Sequence, residues 1–460
     1  MSQEQMGWQA GFGSVDFTPP PNLPMMGNFR ADYAATGTHD PLTARALVLQ
    51  SRMDQAPVAL LSLDLCMMPR SCVALMRRWI RERTGIPAGN VLIAATHTHS
   101  GPATLALYGM PKAEDSDIEA FLETAVGAVS SAVDRIRPAA LKLGRGTEDR
   151  VSFNRRLLDA SGQTHMNWED LSEAEIARVL GPVDTEILAL QVEHEDGSGG
   201  VVVNFALHPA VLDYANRLYS ADYPGYLAEA LKTLNGPRFE PLFFNGCCGN
   251  VNHIDYTDPD APRRGYQATQ RIGFMLAAAT HSTLKHGATP LNAGPVRPLS
   301  EHVALARHPI TDAQIEWARQ VLERDDSPFV DAADGFPEEA RAETWLEMHA
   351  AQHQADSVEV MAIRIGDMAI VGLPGEVFCE FGLDIKAKSP AAHTMVFELA
   401  NDAIGYLPTR EAFPQGGYEV VPGSTRYAPD AGEKLAQAAH RLLSDLFSTS
   451  TSPCPPSADG

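Results

Sequence analysis

At 460 residues, with 44% hydrophobic and 20% charged side chains, the chain is long and apolar enough to bury a large core, which excludes disordered and collagen-like classes. The formal net charge of −22 repels phosphate backbones and anionic lipid surfaces and argues against a nucleic-acid partner. Six cysteines without CxxC pairs, two of them adjacent at Cys247 and Cys248, read as free and mostly buried thiols.

The start, MSQEQMGWQAGFG, has neither a basic nor a long apolar region, and no stretch approaches the ~18 apolar residues needed to span a bilayer. The expectation is a cytoplasmic protein with no stable membrane anchor. Helical periodicity places helices near 69–84, over 118–136 with Ser116 and Glu119 as a capping box, and near 172–180 and 268–285. Thr311 with Gln314 opens another, followed by helices near 338–353 and 433–447. Between them lie short, nearly continuous apolar runs at 58–63, 91–95, 201–206, 241–244, 368–373 and 394–399. Such runs suit strands covered on both faces, so the predicted fold is α/β, with layered mixed β-sheets flanked by helices. No internal repeat, GxGxxG turn, P-loop or GxSxG elbow is present, which removes dinucleotide, P-loop and α/β-hydrolase readings. The tail 448–460, rich in Ser, Thr and Pro and containing Cys454, has nothing to pack and reads as disordered.

Polar residues recur where the apolar runs end. One run leads into Thr96-His97-Thr98-His99-Ser100-Gly101-Pro102, the next to His208-Pro209, and another to Asn245-Gly246-Cys247-Cys248-Gly249-Asn250-Val251-Asn252. Two more lead to Pro374-Gly375-Glu376 and to Asn401-Asp402-Ala403-Ile404-Gly405-Tyr406. Ligands of α/β sheets bind outside strand ends, so these residues point to one shared site. His97 and His99, at i and i+2 on leaving a strand, point to the same face, and imidazole is the commonest zinc ligand. A metal site needs further convergent ligands. Taken singly, His208 reads as a hydrogen-bonded structural histidine, Tyr406 as a packed ring and Arg155 as a surface cation, while Glu376, just past a buried strand, must be solvated, paired or metal-bound, or else serve as an acid near a helix N-terminus at 377–383.

Taken in order, AGFGSVDFTPP, MMGNF, GTHDPLTARALVL, THTHSGP, NRR at 154–156, NFALHPA around His208, GNVN at 249–252, LPGE at 373–376 and GYLPTREAFPQGGYE from 405 to 419 resemble the N-terminal catalytic domain of neutral, non-lysosomal ceramidases. The resemblance spans roughly residues 10–430. It implies zinc ligands at His97, His208, Glu376 and Tyr406. It also implies substrate-amide contacts from His99, Arg155 and Tyr418, and a pocket wall at Gly27. The family's catalytic serine position is taken by Asn252, whose amide cannot serve as an acyl-accepting nucleophile. Asn252 is instead expected to bind substrate or hold a ligand. Residues 1–447 are accordingly expected to form one ceramidase-like catalytic domain, with no immunoglobulin-like C-terminal domain.

The expected activity is zinc-dependent hydrolysis of an N-acyl amide by activated water, on a small soluble amide rather than ceramide. His99 would transfer the proton, and Tyr418 and Arg155 would stabilise the oxyanion. Zinc-dependent esterase or lactonase activity and an inactive binding protein of the same fold are the alternatives. The amidohydrolase barrel, which also begins with HxH, needs that motif nearer the first strand and a final aspartate where this chain has Glu376.

Overall fold

Runs that are apolar on both faces need cover on both faces, and here a second sheet supplies it on one side and helices on the other. The computed structural model describes residues 7–51, 54, 56–169, 171–258, 260–324 and 337–448. The expected tail, apart from Ser448, lies outside the described residues. The five described cysteines are free, and four of them are buried.

A nine-stranded sheet runs in the order Phe239–Asn245, Gly199–Phe205, Glu186–Glu193, Arg137–Thr147, Trp8–Asp16, Thr43–Ser51, Val58–Leu63 and Val91–Ala95. The short strand Thr289–Pro290 pairs with Arg137–Thr147. The outermost pair at each edge is parallel, and every pair between is antiparallel. The two edge pairs therefore run opposite ways along the ladder. Roughly 20–25° of twist per strand, summed over the seven steps, turns the sheet by about 140–175°. That rotation brings the edge pairs side by side and nearly codirectional. Ser62 Oγ on one edge donates to the carbonyl of Phe243 on the other at 2.6 Å.

A second, four-stranded sheet, Val296–Ala306, Ala355–Ile365, Met368–Gly372 and His393–Phe397, packs into the concave face. The core between the sheets includes Trp8, Phe12, Leu92, Leu190, Met361 and Ile370. Phe244 stacks on Phe397 there with ring centroids 4.2 Å apart. Helices Arg70–Thr84 and Asp115–Asp134 cover one half of the large sheet, and Tyr223–Asn235 and Tyr266–His286 the other. Cys379–Lys388 and Ala431–Phe447 cover the second sheet. The result is the layered α/β arrangement expected from the apolar runs. Among the described residues no helix is long and apolar enough to cross a membrane.

Local expectations fare unevenly. Thr311 and Gln314 form both bonds of a capping box at the head of Asp312–Leu322. The box assigned to Ser116 and Glu119 does not form, because the helix begins earlier, after Glu114. The helix expected over 172–180 is instead a 3₁₀ turn at Glu173–Glu175 and a strand at Ile176–Val179, which pairs with Arg156–Asp159. A hydrogen-bonding edge claims that short segment before a helical face can be buried. The helix Tyr223–Asn235 was not expected: its Pro-Gly opening reads as a breaker, yet Pro is well suited to a first turn, and Asp222 caps Tyr223 N at 2.6 Å.

Asn204 makes a buried polar connection between the two sheets. Asn204 donates through Nδ2 to the carbonyls of Phe244 and Val396, both at 3.0 Å, and its Oδ1 accepts from Val396 N at 3.3 Å. Asn204→Ala leaves these backbone groups unsatisfied inside the core. A loss of about 2–4 kcal/mol is expected in equilibrium urea unfolding, and a loss below 0.5 kcal/mol would contradict this role.

Candidate metal centre

His97 comes two residues after the strand Val91–Ala95, where the backbone still bonds along the neighbouring chain through Thr96 N to Leu63 O and His97 N to Leu65 O. It then turns with φ 75°. That left-handed conformation in a non-glycine residue costs of order 1–3 kcal/mol and swings the imidazole inward. Its Nδ1 donates to the Cys66 carbonyl at 2.7 Å, which leaves the Nε2 lone pair free in the neutral ring. His97 and His99 do converge, but through this turn and not through strand alternation. Their Nε2 atoms lie 3.3 Å apart, with the rings edge to face at 88°.

His208, in the loop after Gly199–Phe205, places its Nε2 2.9 Å from that of His97. Its Nδ1 faces the carbonyl and sulfur of Cys248, both at 3.5 Å. Glu376 begins the two-residue strand Glu376–Val377, paired in parallel with Tyr406–Leu407 so that Glu376 and Tyr406 are register partners. It does not serve the following helix, which starts at Cys379. Its Oε2 lies 3.3 Å from His97 Nε2 and 3.9 Å from His208 Nε2.

The donor set fits a small cation. For metal–ligand bonds of ~2.0–2.2 Å, a tetrahedral site has ligand–ligand edges of about 3.3–3.6 Å, and the three measured separations of 2.9, 3.3 and 3.9 Å straddle that range. Two lone pairs and a carboxylate oxygen otherwise face one another in a buried space. Tyr406 is buried beside them as the register partner of Glu376. Burial and then the Glu376 charge raise its hydroxyl well above the usual range, while the Arg155 guanidinium opposes this. Burial, followed by the neighbouring His97, lowers both His99 and His208 well below an ordinary imidazole.

Around this core the other expected residues take distinct places. Gly27, at φ +102°, lies against the His99 ring, and any Cβ at that position would run into it. Arg155 is buried, its Cζ 5.3 Å from the Tyr406 ring centroid and 5.4 Å from that of Trp168. Its Nε donates to Glu419 at 2.8 Å, and its Nη2 has no hydrogen-bond partner among the described residues. Tyr418 sets its ring edge to face with Tyr406, centroids 5.5 Å apart, and with Trp168 at 6.0 Å. Asn252 exchanges two 2.7 Å amide hydrogen bonds with Asn167, and its Oδ1 also accepts from Ile254 N at 3.0 Å. Its strand, Val251–Asn252, pairs with Phe153–Asn154 directly before Arg155.

Three contributors escape a reading of the sequence. Arg30, buried, donates to the His99 carbonyl at 3.0 Å. Trp168 flanks Arg155. Glu419 joins Arg155 to Arg156, whose Nη1 it receives at 2.6 Å. Burial alone would raise the Glu419 carboxyl, and the two guanidinium groups reverse this and hold it below the ordinary value. Only its adjacency to Tyr418 offered a signal.

The sequence profile described as neutral/alkaline non-lysosomal ceramidase, N-terminal, matches residues 8–240. The chain is 23% identical over 499 aligned residues to a neutral ceramidase of Pseudomonas aeruginosa, covering 96% of this chain and 71% of that one. It is 24% identical over 471 residues to a neutral ceramidase of Mycobacterium tuberculosis, covering 89% and 72%. The crystal structure of the Pseudomonas aeruginosa neutral ceramidase superimposes with a TM-score of 0.74 at 19% identity, over 96% of this chain and 74% of that chain. A ceramidase complexed with C2 gives 0.76 at 20% identity, over 96% and 75%.

Glu419→Ala would leave two buried guanidinium groups without their carboxylate. The expected cost is about 3–5 kcal/mol in guanidinium chloride unfolding. A variant as stable as the parent would show that the triad does not hold Arg155 in place.

Proposed function

The chain belongs to the neutral/alkaline non-lysosomal ceramidase family, and on that footing we propose that it hydrolyses an N-acyl amide bond with the help of a zinc ion held by His97, His208, Glu376 and Tyr406. The observation that carries this reading is the facing of two imidazole Nε2 atoms and a carboxylate oxygen within 2.9–3.9 Å. Bound there, zinc supplies Lewis acidity and brings the pKa of water from ~15.7 towards ~7.

The protein's own groups do the rest. His99 Nε2, beside His97, moves the proton from the attacking water to the leaving nitrogen. Arg155 Nη2, without a hydrogen-bond partner among the described residues, and the Tyr418 hydroxyl donate to the carbonyl oxygen as it gains charge, an effect usually worth ~2.7–4 kcal/mol per donor. No covalent acyl-enzyme forms at position 252, because an amide is no nucleophile and Asn252 is committed to Asn167. Water is therefore the acyl acceptor. The net charge of −22 supports a small amide taken from solution over one drawn from an anionic lipid surface.

His97→Ala is expected to purify with bound metal near zero and without measurable turnover on N-acyl amides graded by acyl length and amine. Unchanged turnover in a sample of known metal content would refute the scheme. The parent, assayed in parallel on a matched amide and ester, should hydrolyse the amide at a rate the ester's better leaving group alone does not account for. Activity confined to the ester would move the assignment to an esterase.

A further inference from the structure

Behind the proposed ligands lies a carboxyl group that the mechanism does not use. Glu398 follows the strand His393–Phe397 and is completely buried. No Lys or Arg pairs with it among the described residues. Its Oε2 accepts from two backbone N–H groups, Cys248 at 3.0 Å and Val377 at 3.1 Å, and its Oε1 accepts from the Cys248 thiol at 2.8 Å.

These donors belong to the loop after Phe239–Asn245, which touches His208, and to the residue that follows Glu376. Cys248 presents its carbonyl and sulfur to His208 Nδ1, both at 3.5 Å, and so orients that imidazole. Val377 follows Glu376 directly. The segments touch elsewhere too: Gly249 N donates to Val377 O at 2.8 Å, and a Cβ on Gly249 would lie 2.5 Å from the Glu376 carbonyl oxygen. Glu398 N itself donates at 3.1 Å to the carbonyl of Asn245, the last residue of the strand that leads into Cys248.

Burying a carboxyl without a cation is costly, and here the cost is offset by three donors from two loops that converge on it. We propose that Glu398 is a positioning residue of the metal centre, holding Cys248 and Val377 on one carboxyl and so fixing the spacing of His208 and Glu376. The inference rests on the metal-centre reading above. A group that fixes ligand spacing acts on metal affinity, whereas one that only fills and joins the core acts on stability.

The test measures zinc stoichiometry and affinity by competition with a chromophoric chelator, together with the melting temperature of the metal-free protein. The proteins compared are the parent, Glu398→Ala, Glu398→Gln and, as a stability control, Ile80→Ala in the distant helix Arg70–Thr84, where Ile80 is fully buried. Glu398→Ala is expected to bind zinc ~10–100-fold more weakly than the parent. Glu398→Gln keeps an oxygen for the two N–H groups and is expected to stay within about threefold of the parent. Ile80→Ala should lower the melting temperature and leave affinity unchanged. If Glu398→Ala does not fold, Glu398→Asp, which keeps the charge and shortens the arm, is read in its place with the same weakening expected.

Parental affinity in Glu398→Ala would overturn the proposal. So would an equal loss in Glu398→Gln, which would assign the effect to charge and not to the two bonds. A parent that binds no zinc would instead overturn the metal reading itself, so the two failures are distinguishable.

Discussion

Two imidazole Nε2 atoms and a carboxylate oxygen, held 2.9–3.9 Å apart in a buried space, form the contact on which the surrounding structure depends. Atoms of like polarity at that range repel, and in a low-dielectric interior the repulsion is screened weakly. A proton or a cation relieves it, while relaxation of the side chains is blocked. His97 is pinned by the Cys66 carbonyl and by a backbone turned to φ 75°, Glu376 by ladder pairing with Tyr406, and His208 by the Cys248 segment. Each of the three groups is thus held by a contact outside the cluster.

That arrangement originates in the sheets. Each group leaves a different strand end, and only the strong twist of the nine-stranded sheet brings its two edges together, with Ser62 reaching Phe243 across them. The second sheet then enters the concavity and delivers Glu376 and Tyr406 from the other side. Asn204, bonded to Phe244 and Val396, sets the two layers in register. The hydrophobic core determines how close the layers come, and a few buried polar groups determine how they are oriented.

What the sequence made legible follows the same division. Continuous apolar runs such as Val91–Ala95 and Met368–Gly372 stood out because both faces are covered. Trp8–Asp16 did not, since Gly11, Gly13 and Ser14 interrupt it, nor did Val296–Ala306, whose residues alternate between buried and exposed. Among the site residues, the HxH pair was visible as a pattern, although its convergence depends on a left-handed turn that no periodicity encodes. His208 and Tyr406 were unremarkable singly, and with Glu376 they acquired weight as a set recurring at strand ends and then from the family resemblance. Arg155 read as a surface cation because its partner Glu419 lies 264 residues away, and burial of an ion pair is a property of tertiary packing.

The Arg155–Glu419–Arg156 triad also bears on how an oxyanion would be met. A guanidinium flanked by the Trp168 and Tyr406 rings is shielded from water, and such a cation is costly to keep unless a carboxylate accompanies it. Glu419 accompanies it through Nε and takes its second bond from Arg156, so Arg155 Nη2 is left without an acceptor among the described residues. Had Glu419 gripped Arg155 with both oxygens, that donor would have been partly neutralised. Dividing one carboxylate between two arginines keeps the charge paired and leaves a donor edge free. An oriented donor of this kind is what a developing negative charge requires, since it needs no reorganisation when the charge appears.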